Sequence, residues 1–269
     1  MFGMFHIPTK EDRAREKERQ QATINRRLPL CVPWDPYIKF DKELNFKADT
    51  YLDWGLFPGV KPVDVMHPVH VLAKGLEFYR MSPNETFFYC VKKIPKGGTL
   101  EVYYSKQKGT VMFDGDVYVP VLHRKEKWND QRWKEEPWMS TTPMEIISMR
   151  EGTKLAKGHT VIGGLGLGYQ LAEVTHRKKV KKVTLVEIDQ GLIDMMMPAL
   201  KDRLGPAPVE VIVGDAEQIV PTFTADVALI DIFDGYGGND FPKCPNIPKV
   251  WCWGSQYVQG SNSLFGWYA

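Results

Sequence analysis

A glycine-rich segment is the first part of the chain whose residue types could perform chemistry. Residues 163–168 read Gly-Gly-Leu-Gly-Leu-Gly and stand between an apolar segment that predicts a strand and a segment that predicts a helix. Glycine permits a tight turn there and lets backbone N–H groups approach a ligand closely. Gly164, Gly166 and Gly168 have the spacing G-x-G-x-G, which differs from the G-x-G-x-x-G of dinucleotide-binding loops. We therefore predict that these glycines and Gly163 contact a nucleoside, and a nicotinamide cofactor is disfavoured.

Acidic residues follow the next three predicted strands. Glu187, Asp215 and Asp231 each stand at the end of an apolar segment or directly after it. Ligands of open α/β sheets bind outside the carboxyl ends of the strands, so these side chains are expected beside the glycine loop. Glu187 could accept hydrogen bonds from both hydroxyls of a ribose, and Asp215 with the N–H of Ala216 could read an adenine edge. The alternative role for Glu187 is that of a helix cap, which is the role predicted for Asp189.

Two carboxylates and two aromatic residues are candidates for the reaction itself. Asp231 and Asp234 lie in the segment Asp-Ile-Phe-Asp-Gly, and either could act as a general base or orient an amine or a hydroxyl. Trp138 and Tyr236 could form the walls of a substrate pocket. Alternatively, both aromatic side chains belong to the hydrophobic core or to its rim and have no contact with a substrate.

The elements that must position these residues alternate between strand and helix. Thr142-Pro143-Met144-Glu145 combines an N-cap residue, a proline at the first helical position and a glutamate at the third, which predicts a helix start. Downstream we predict strands at 159–163, 183–188, 209–213, 226–231 and 249–253, and helices at 169–175, 192–204 and 216–219. Nearly continuous apolar strands separated by helices imply a parallel sheet that is covered on both faces. The predicted fold class is therefore α/β, with a Rossmann-like, mostly parallel sheet.

The first half of the chain has the composition of a β-rich unit. Aromatic and β-branched segments separated by Pro-Lys-Gly-Gly and Asp-Gly turns predict a β-meander over residues 86–122, followed by an irregular connection over 123–138. Residues 28–83 are predicted to form extended segments and turns. His67 and His70 are interpreted as structural, because the intervening proline disfavours a helix that would align them as metal ligands.

We predict three units along the chain. Residues 1–28 form a charged helical extension, residues 29–137 a β-rich domain and residues 138–269 a Rossmann-like nucleoside-binding domain. Acidic and basic residues alternate in the extension, which favours a solvated helix or a contact with a protein partner over nucleic-acid binding.

Composition excludes several classes of protein. The 269 residues are 43% hydrophobic and 25% charged, which is typical of a globular protein and excludes collagen-like and coiled-coil chains. Lys and Arg number 35 against 33 Asp and Glu, so neither nucleic acid nor a membrane is a favoured partner. Cys31, Cys90, Cys244 and Cys252 lie apart, without the spacing of a disulfide framework or a metal site. The chain lacks an apolar run near the ~18 residues of a membrane span, and a cytoplasmic location is expected.

Four segments together resemble one family. Residues 161–164, 183–189, 209–216 and 226–231 read Val-Ile-Gly-Gly, Val-Thr-Leu-Val-Glu-Ile-Asp, Val-Glu-Val-Ile-Val-Gly-Asp-Ala and Asp-Val-Ala-Leu-Ile-Asp. They are similar to the class I S-adenosylmethionine-dependent transferase fold, and within it to the spermidine synthase branch of the polyamine aminopropyltransferases. The predicted hairpin over 100–115 resembles the β-domain that precedes the nucleotide fold in those synthases.

The resemblance implies S-adenosylmethionine, or its decarboxylated form, as the cofactor. It implies that Glu187 binds the ribose, that Asp215 and Ala216 bind the adenine, and that Asp231 faces the reacting centre; Ile188 completes the predicted cofactor site. The glycine loop would then bind the amino-acid part of the cofactor.

The chain also departs from the synthases in three places. Its glycine loop contains no acidic residue, and Trp138-Met-Ser-Thr-Thr precedes the helix where the synthases have a Tyr-His-Glu type of sequence. The segment that begins at Asp231 replaces an Asp-Ser-Ser-Asp-Pro sequence, keeping two carboxylates and losing the hydroxyls. The residues after Asp231 also predict a C-terminally curtailed form of the transferase sheet.

Three functional hypotheses follow. The leading one is an enzyme that binds S-adenosylmethionine and transfers its methyl group to a small-molecule or protein acceptor, with positioning as the main catalytic device. The second is aminopropyl transfer from decarboxylated S-adenosylmethionine. The third is a non-catalytic scaffold that keeps the transferase fold and contacts a partner through its N-terminal helix. The acceptor and a homo-oligomeric state are left open.

Overall fold

The computed structural model describes residues 56–104, 107–112, 116–126, 129–233 and 241–253. The predicted N-terminal helix, Cys31, Asp234 and Tyr236 lie outside these residues. In the described part of the chain, no helix is long and apolar enough to cross a membrane.

The first half of the described chain forms an antiparallel sheet, a separate hairpin and a short helix. In chain order the elements are α1 (Pro68–Lys74), β1 (Tyr79–Met81), β2 (Phe87–Ile94), β3 (Thr99–Tyr104), β4 (Gln107–Met112), β5 (Val117–Glu126), β6 (Asn129–Trp133) and β7 (Met139–Ser140). Strand β2 pairs along its whole length with β5, from Phe87 opposite Arg124 to Ile94 opposite Val117. Strands β1, β6 and β7 complete this sheet, while β3 and β4 pair only with each other.

The predicted meander over 86–122 is wrong in part: β3 and β4 pair as predicted, but β2 pairs with β5 instead of β3. The chain contains the predicted strands, but β3 and β4 form a separate two-stranded sheet, because β2 pairs with β5. Both β2 and β5 carry long buried faces that belong to one core, and this burial favours their pairing. The connection predicted as irregular is also partly regular, because β5 continues to Glu126 and β6 returns beside it.

The prediction that Pro68 prevents a helix is also wrong. Pro68 occupies the first turn of α1, where its missing N–H would have no intrahelical partner, and His67 is the N-cap residue. The rings of His67 and His70 lie 5.0 Å apart at the surface. The described residues contain no group of three or more His, Cys, Asp or Glu side chains that could hold a metal ion.

The second half of the chain alternates helices and parallel strands. The elements are α2 (Pro143–Thr153), β8 (Gly158–Gly163), α3 (Tyr169–Thr175), β9 (Val180–Glu187), α4 (Gln190–Leu200), β10 (Val209–Val213), α5 (Ala216–Ile219), β11 (Val227–Ile230) and β12 (Val250–Cys252). The sheet order is β10-β9-β8-β11-β12, and every pair is parallel. The prediction of a Rossmann-like parallel sheet is confirmed.

The order of the strands places a crevice beside β8. The chain moves outward from β8 to β9 and β10, and then returns to the other side of β8 with β11, so the connections diverge between β8 and β11. Ligands of open α/β sheets bind at such a point, outside the carboxyl ends of the strands. Phe88 and Leu122 of the antiparallel sheet belong to the same buried core as Ile162 and Leu185 of the parallel sheet. The antiparallel sheet is therefore packed against the unit that forms the crevice.

Gly152, on α2, lies directly against Trp251 of the last strand. A Cβ at this position would overlap the indole ring of Trp251, which is 1% exposed. We expect Gly152→Ala to lower the free energy of unfolding by about 1–3 kcal/mol, because overpacking a full core forces its neighbours to move. Urea denaturation measures this loss.

The matched test of the Gly152 prediction uses a smaller ring. Trp251→Phe is destabilising by itself, but it provides space for the added methyl group, so the two substitutions together should cost less than the sum of their separate effects. Additive effects would contradict the proposed clash.

Candidate functional site

The glycine loop after β8 turns close to the end of β11. Gly164 has φ +94°, and a Cβ there would overlap the backbone carbonyl of Asp231. Gly166 has φ +50°, and a Cβ there would overlap the sulfur of Met139. Both positions combine a left-handed backbone with a close neighbour, so glycine is required at each. The loop can therefore lie directly above the strand ends and expose its backbone to the crevice.

Glu187, the last residue of β9, is 7% exposed and holds the glycine loop in place. Its Oε2 accepts a hydrogen bond from the Leu165 N–H at 2.8 Å, and its Oε1 accepts one from the Asp189 N–H at 2.9 Å. Burial raises the pKa of this carboxyl, and the backbone N–H groups of Leu165, Asp189 and Ile188 oppose that shift. A carboxylate has about four acceptor sites, so this one can still accept a hydrogen bond from a ligand.

Asp189 caps α4, as predicted. Its Oδ1 accepts a hydrogen bond from the Leu192 N–H at 2.8 Å. The same oxygen accepts one from Nδ2 of Asn84, at 2.9 Å, in the turn before β2. The turn of the antiparallel sheet is thereby attached to the rim of the crevice.

Asp215 is the N-cap residue of α5. Its Oδ1 accepts from the Glu217 N–H at 2.9 Å, and its Oδ2 accepts from Nε2 of Gln218 at 3.2 Å. Ala216 is buried next to it, whereas Ile188 is 66% exposed. An exposed isoleucine beside polar groups provides an apolar surface on which a flat ring could lie.

These side chains line one cavity of about 230 Å³, which we call the first cavity. Its walls include most of the predicted site residues: Trp138, Gly164, Gly166, Glu187, Ile188, Asp215, Ala216 and Asp231. Gly163 and Gly168 are not part of the wall. A Cβ on Gly163 would contact Ile230 and Ala216, and one on Gly168 would overlap Leu200, so both have packing roles.

The antiparallel sheet supplies two residues of the first cavity that the sequence did not indicate. Phe87 and Arg124 lie opposite each other on β2 and β5, and both reach the cavity wall. The guanidinium carbon of Arg124 lies 4.4 Å from the ring centre of Trp138 and 5.7 Å from that of Phe87. No local motif marks these positions, because their approach depends on the pairing of strands that are distant in the sequence.

A second cavity of about 440 Å³ adjoins the first. The two cavities share Trp138, Gly166 and Asp231. The walls of the second cavity also include Met139, Ser140, Glu145, Phe233 and Trp253. Nε1 of Trp253 donates a hydrogen bond to Oγ of Ser148 at 2.8 Å, which fixes the end of β12 against α2.

Glu145 was predicted only as part of a helix start. The helix does begin at Pro143 with Thr142 as its N-cap residue, but Oε2 of Glu145 accepts from the N–H of Ser140, at 2.8 Å, and from the Ser140 hydroxyl. The glutamate thereby faces the second cavity. The sequence did not indicate this role, because a glutamate three residues after an N-cap threonine is already expected in a capping box with a purely structural function.

Glu145 and Asp231 form a pair of carboxyls with raised pKa values. Burial raises the pKa of Glu145 to about 8; its hydrogen bonds from Ser140 oppose this, and the charge of Asp231 adds to it. Burial raises the pKa of Asp231 to about 7. Near neutral pH this pair therefore retains protons that exposed carboxyls would have released.

The raised pKa values predict how stability depends on pH. The folded protein binds protons at Glu145 and Asp231 that the unfolded chain releases, so the free energy of unfolding should fall as the pH rises from about 5 through 8. We expect Glu145→Gln to flatten this decline, since a glutamine does not titrate. Urea midpoints measured between pH 6.5 and 8.5 provide the test, and a variant with the slope of the wild type would contradict it.

One protein-family model matches part of the chain. The family model described as Spermine/spermidine synthase domain matches residues 152–241, which include the glycine loop, Glu187, Asp215 and Asp231. The resemblance predicted from the four sequence segments is thereby confirmed over this range. A search of curated proteins found no match.

Solved structures with local similarity to this chain include several methyltransferases. A dimethyladenosine transferase from Plasmodium falciparum is 22% identical, with a TM-score of 0.29, over 34% of this chain and 32% of its own. TrmK of M. capricolum, solved with S-adenosyl-homocysteine, is 14% identical, with a TM-score of 0.31, over 39% of this chain and 49% of its own. A protein-L-isoaspartate O-methyltransferase is 25% identical, with a TM-score of 0.30, over 41% of this chain and 34% of its own. Each match spans less than half of the other protein.

Proposed function

We propose that this protein is an S-adenosylmethionine-dependent methyltransferase. The observation that carries the proposal is the first cavity, which collects the glycine loop, Glu187, Asp215 and Asp231 at the carboxyl ends of neighbouring parallel strands. The family match over residues 152–241 supports a cofactor of this chemical class.

The residues of the first cavity fit the cofactor in three respects. The remaining acceptor capacity of the Glu187 carboxylate suits a hydroxyl of a ribose. The exposed side chain of Ile188 and the backbone around Asp215 and Ala216 suit an adenine. The backbone of the glycine loop, which a Cβ at Gly164 or Gly166 would obstruct, suits the amino-acid part.

Two features favour methyl transfer over aminopropyl transfer. The glycine loop lacks the acidic residue that the resembling synthases have there. In addition, Met139 covers the loop from above, because its sulfur lies where a side chain on Gly166 would extend and 3.2 Å from the Leu167 nitrogen. The loop therefore offers no carboxylate to the amine of the cofactor. This matters more for aminopropyl transfer, because the amine belongs to the group that is transferred, than for methyl transfer, where it does not react.

The second cavity favours an amine as the acceptor. Three carboxyls and two indoles surround one space, and both kinds of group attract a basic nitrogen. They belong to Glu136, Glu145, Asp231, Trp138 and Trp253. Bound S-adenosylmethionine supplies a methyl group that its sulfonium already activates. Asp231, at the junction of the cavities, would take the proton that the nitrogen loses, while the walls hold the nitrogen in line with the methyl group.

The test is a transfer assay with both forms of the cofactor. The protein is incubated with a panel of monoamines and diamines and either S-adenosylmethionine or its decarboxylated form, and products are detected by intact mass. The proposal predicts the mass gain of one methyl group, with the first cofactor only. A gain of an aminopropyl group with the second cofactor would contradict it.

Aminopropyl transfer is the second candidate function. The family match and the three carboxyls that line the second cavity favour it. Binding of either cofactor without any transfer would instead support the non-catalytic scaffold, whose proposed partner contact lies in residues 1–28.

A further inference from the structure

An arginine faces the first cavity without a carboxylate partner. Arg124 is half-buried on β5, and its guanidinium lies over the rings of Trp138 and Phe87. Among the residues that the structure describes, no Asp or Glu side chain forms an ion pair with it. Aromatic rings attract a guanidinium without supplying the oxygen acceptors that its N–H groups prefer, so these donors are available to another ligand.

Arg124 has no ion-pair partner among the described residues although the first cavity is rich in carboxyls. Its described walls carry five carboxyls, from Glu187, Asp189, Asp215, Glu217 and Asp231, and Arg124 is the one basic side chain among them. Any ligand carboxylate in this cavity would meet repulsion from several sides. The guanidinium of Arg124 is the group on these walls that could compensate for that repulsion with a paired, charge-assisted contact.

We propose that Arg124 binds the α-carboxylate of S-adenosylmethionine and thereby selects this cofactor over its decarboxylated form. The inference rests on the proposed function, because it requires the cofactor to occupy the first cavity. Arg124 lies over Trp138, and Trp138 and Gly166 both line the two cavities, so we expect the guanidinium near the loop that receives the amino-acid part. The decarboxylated cofactor presents only positive groups, so Arg124 would repel it.

The wild-type protein provides the first test. Calorimetric titrations use three ligands: S-adenosylmethionine, decarboxylated S-adenosylmethionine and 5′-methylthioadenosine, which lacks both the amine and the carboxylate. We expect S-adenosylmethionine to bind about tenfold to hundredfold more tightly than the decarboxylated form, the range expected for hydrogen bonds to a charged group. Equal affinities would overturn the inference.

The second test removes the charge and keeps the shape. Arg124→Met retains an unbranched apolar side chain over Trp138. We expect this variant to bind S-adenosylmethionine about tenfold to hundredfold more weakly and to bind 5′-methylthioadenosine with unchanged affinity. Arg124→Lys should recover part of the loss. Lys134→Met is the matched control, because the Lys134 ammonium also lies over Trp138, at 5.6 Å, but is not in the cavity wall.

The outcomes separate a specificity role from a structural one. An equal loss for all three ligands would assign Arg124 to the packing of Trp138 and overturn the inference. Unchanged affinities would also overturn it. A folded wild type that binds none of the three nucleosides would overturn the proposed function and this inference together, whereas binding without discrimination would overturn the inference alone.

Discussion

Glu187→Gln should weaken the binding of S-adenosylhomocysteine about hundredfold and destabilise the ligand-free protein. Both carboxylate oxygens accept backbone N–H groups, from Leu165 and Asp189, so the amide nitrogen of a glutamine must face one of these donors. A buried donor left without an acceptor costs about 1–3 kcal/mol. The ribose hydroxyls would also lose a charged acceptor, and about 3 kcal/mol of lost binding energy corresponds to roughly hundredfold in affinity.

Calorimetry and urea denaturation measure these two effects, and Glu210→Gln is the matched control. Glu210 lies on the neighbouring strand β10, where its exposed carboxylate pairs with Lys182 at 2.7 Å. Removing a single exposed ion pair has little effect on stability, so this control should keep the affinity of the wild type. Similar losses in both variants would show that Glu187 has no special contact with the ligand.

Asp231→Asn should slow methyl transfer by about a hundredfold to ten-thousandfold, which is the usual contribution of a general base. An asparagine fills the same space but does not take a proton from the acceptor nitrogen. The dissociation constant of S-adenosylhomocysteine should change by no more than a few fold, because Asp231 acts at the junction with the second cavity. Single-turnover rates with the amine identified by the transfer assay provide the measurement.

The pH profile identifies the role of Asp231 more sharply than the rate alone. A base works only after it loses its proton, so the wild-type rate should rise with pH through an apparent pKa of about 7. The Asn variant should lose that inflection, whereas Glu145→Gln should retain it near the same pH, because Glu145 is still mostly protonated and uncharged when Asp231 loses its proton. An Asn variant with the rate and profile of the wild type would exclude Asp231 as the base.

The parallel sheet was predictable because its signals are local. Strand β10, helix α3 and helix α5 have the predicted bounds, since each is an apolar or amphipathic segment that begins or ends at glycine or a capping aspartate. The carboxyl ends of parallel strands meet at one edge, so the predicted placement of Glu187 and Asp215 at a common cavity followed from strand order alone.

The remaining parts of the site depend on contacts between distant segments. Arg124 reaches the first cavity because β2 bypasses the β3–β4 hairpin and pairs with β5, and that choice of partner is not encoded in either strand alone. Glu145 has a local signal, but it is the signal of a capping residue, and the cavity beside it forms only when β7 and Trp253 are in place. Pro68 was misinterpreted for a similar reason, because proline both disfavours a helix before it and begins one after it.

The most direct test of the central claim is a titration of the wild-type protein with S-adenosylhomocysteine. We expect saturable binding at one site per chain and competition by S-adenosylmethionine. At a hundredfold excess over the dissociation constant, the ligand should raise the free energy of unfolding by about 2.7 kcal/mol. A protein that unfolds cooperatively but shows neither binding heat nor this gain in stability would contradict the assignment of the first cavity as a cofactor site.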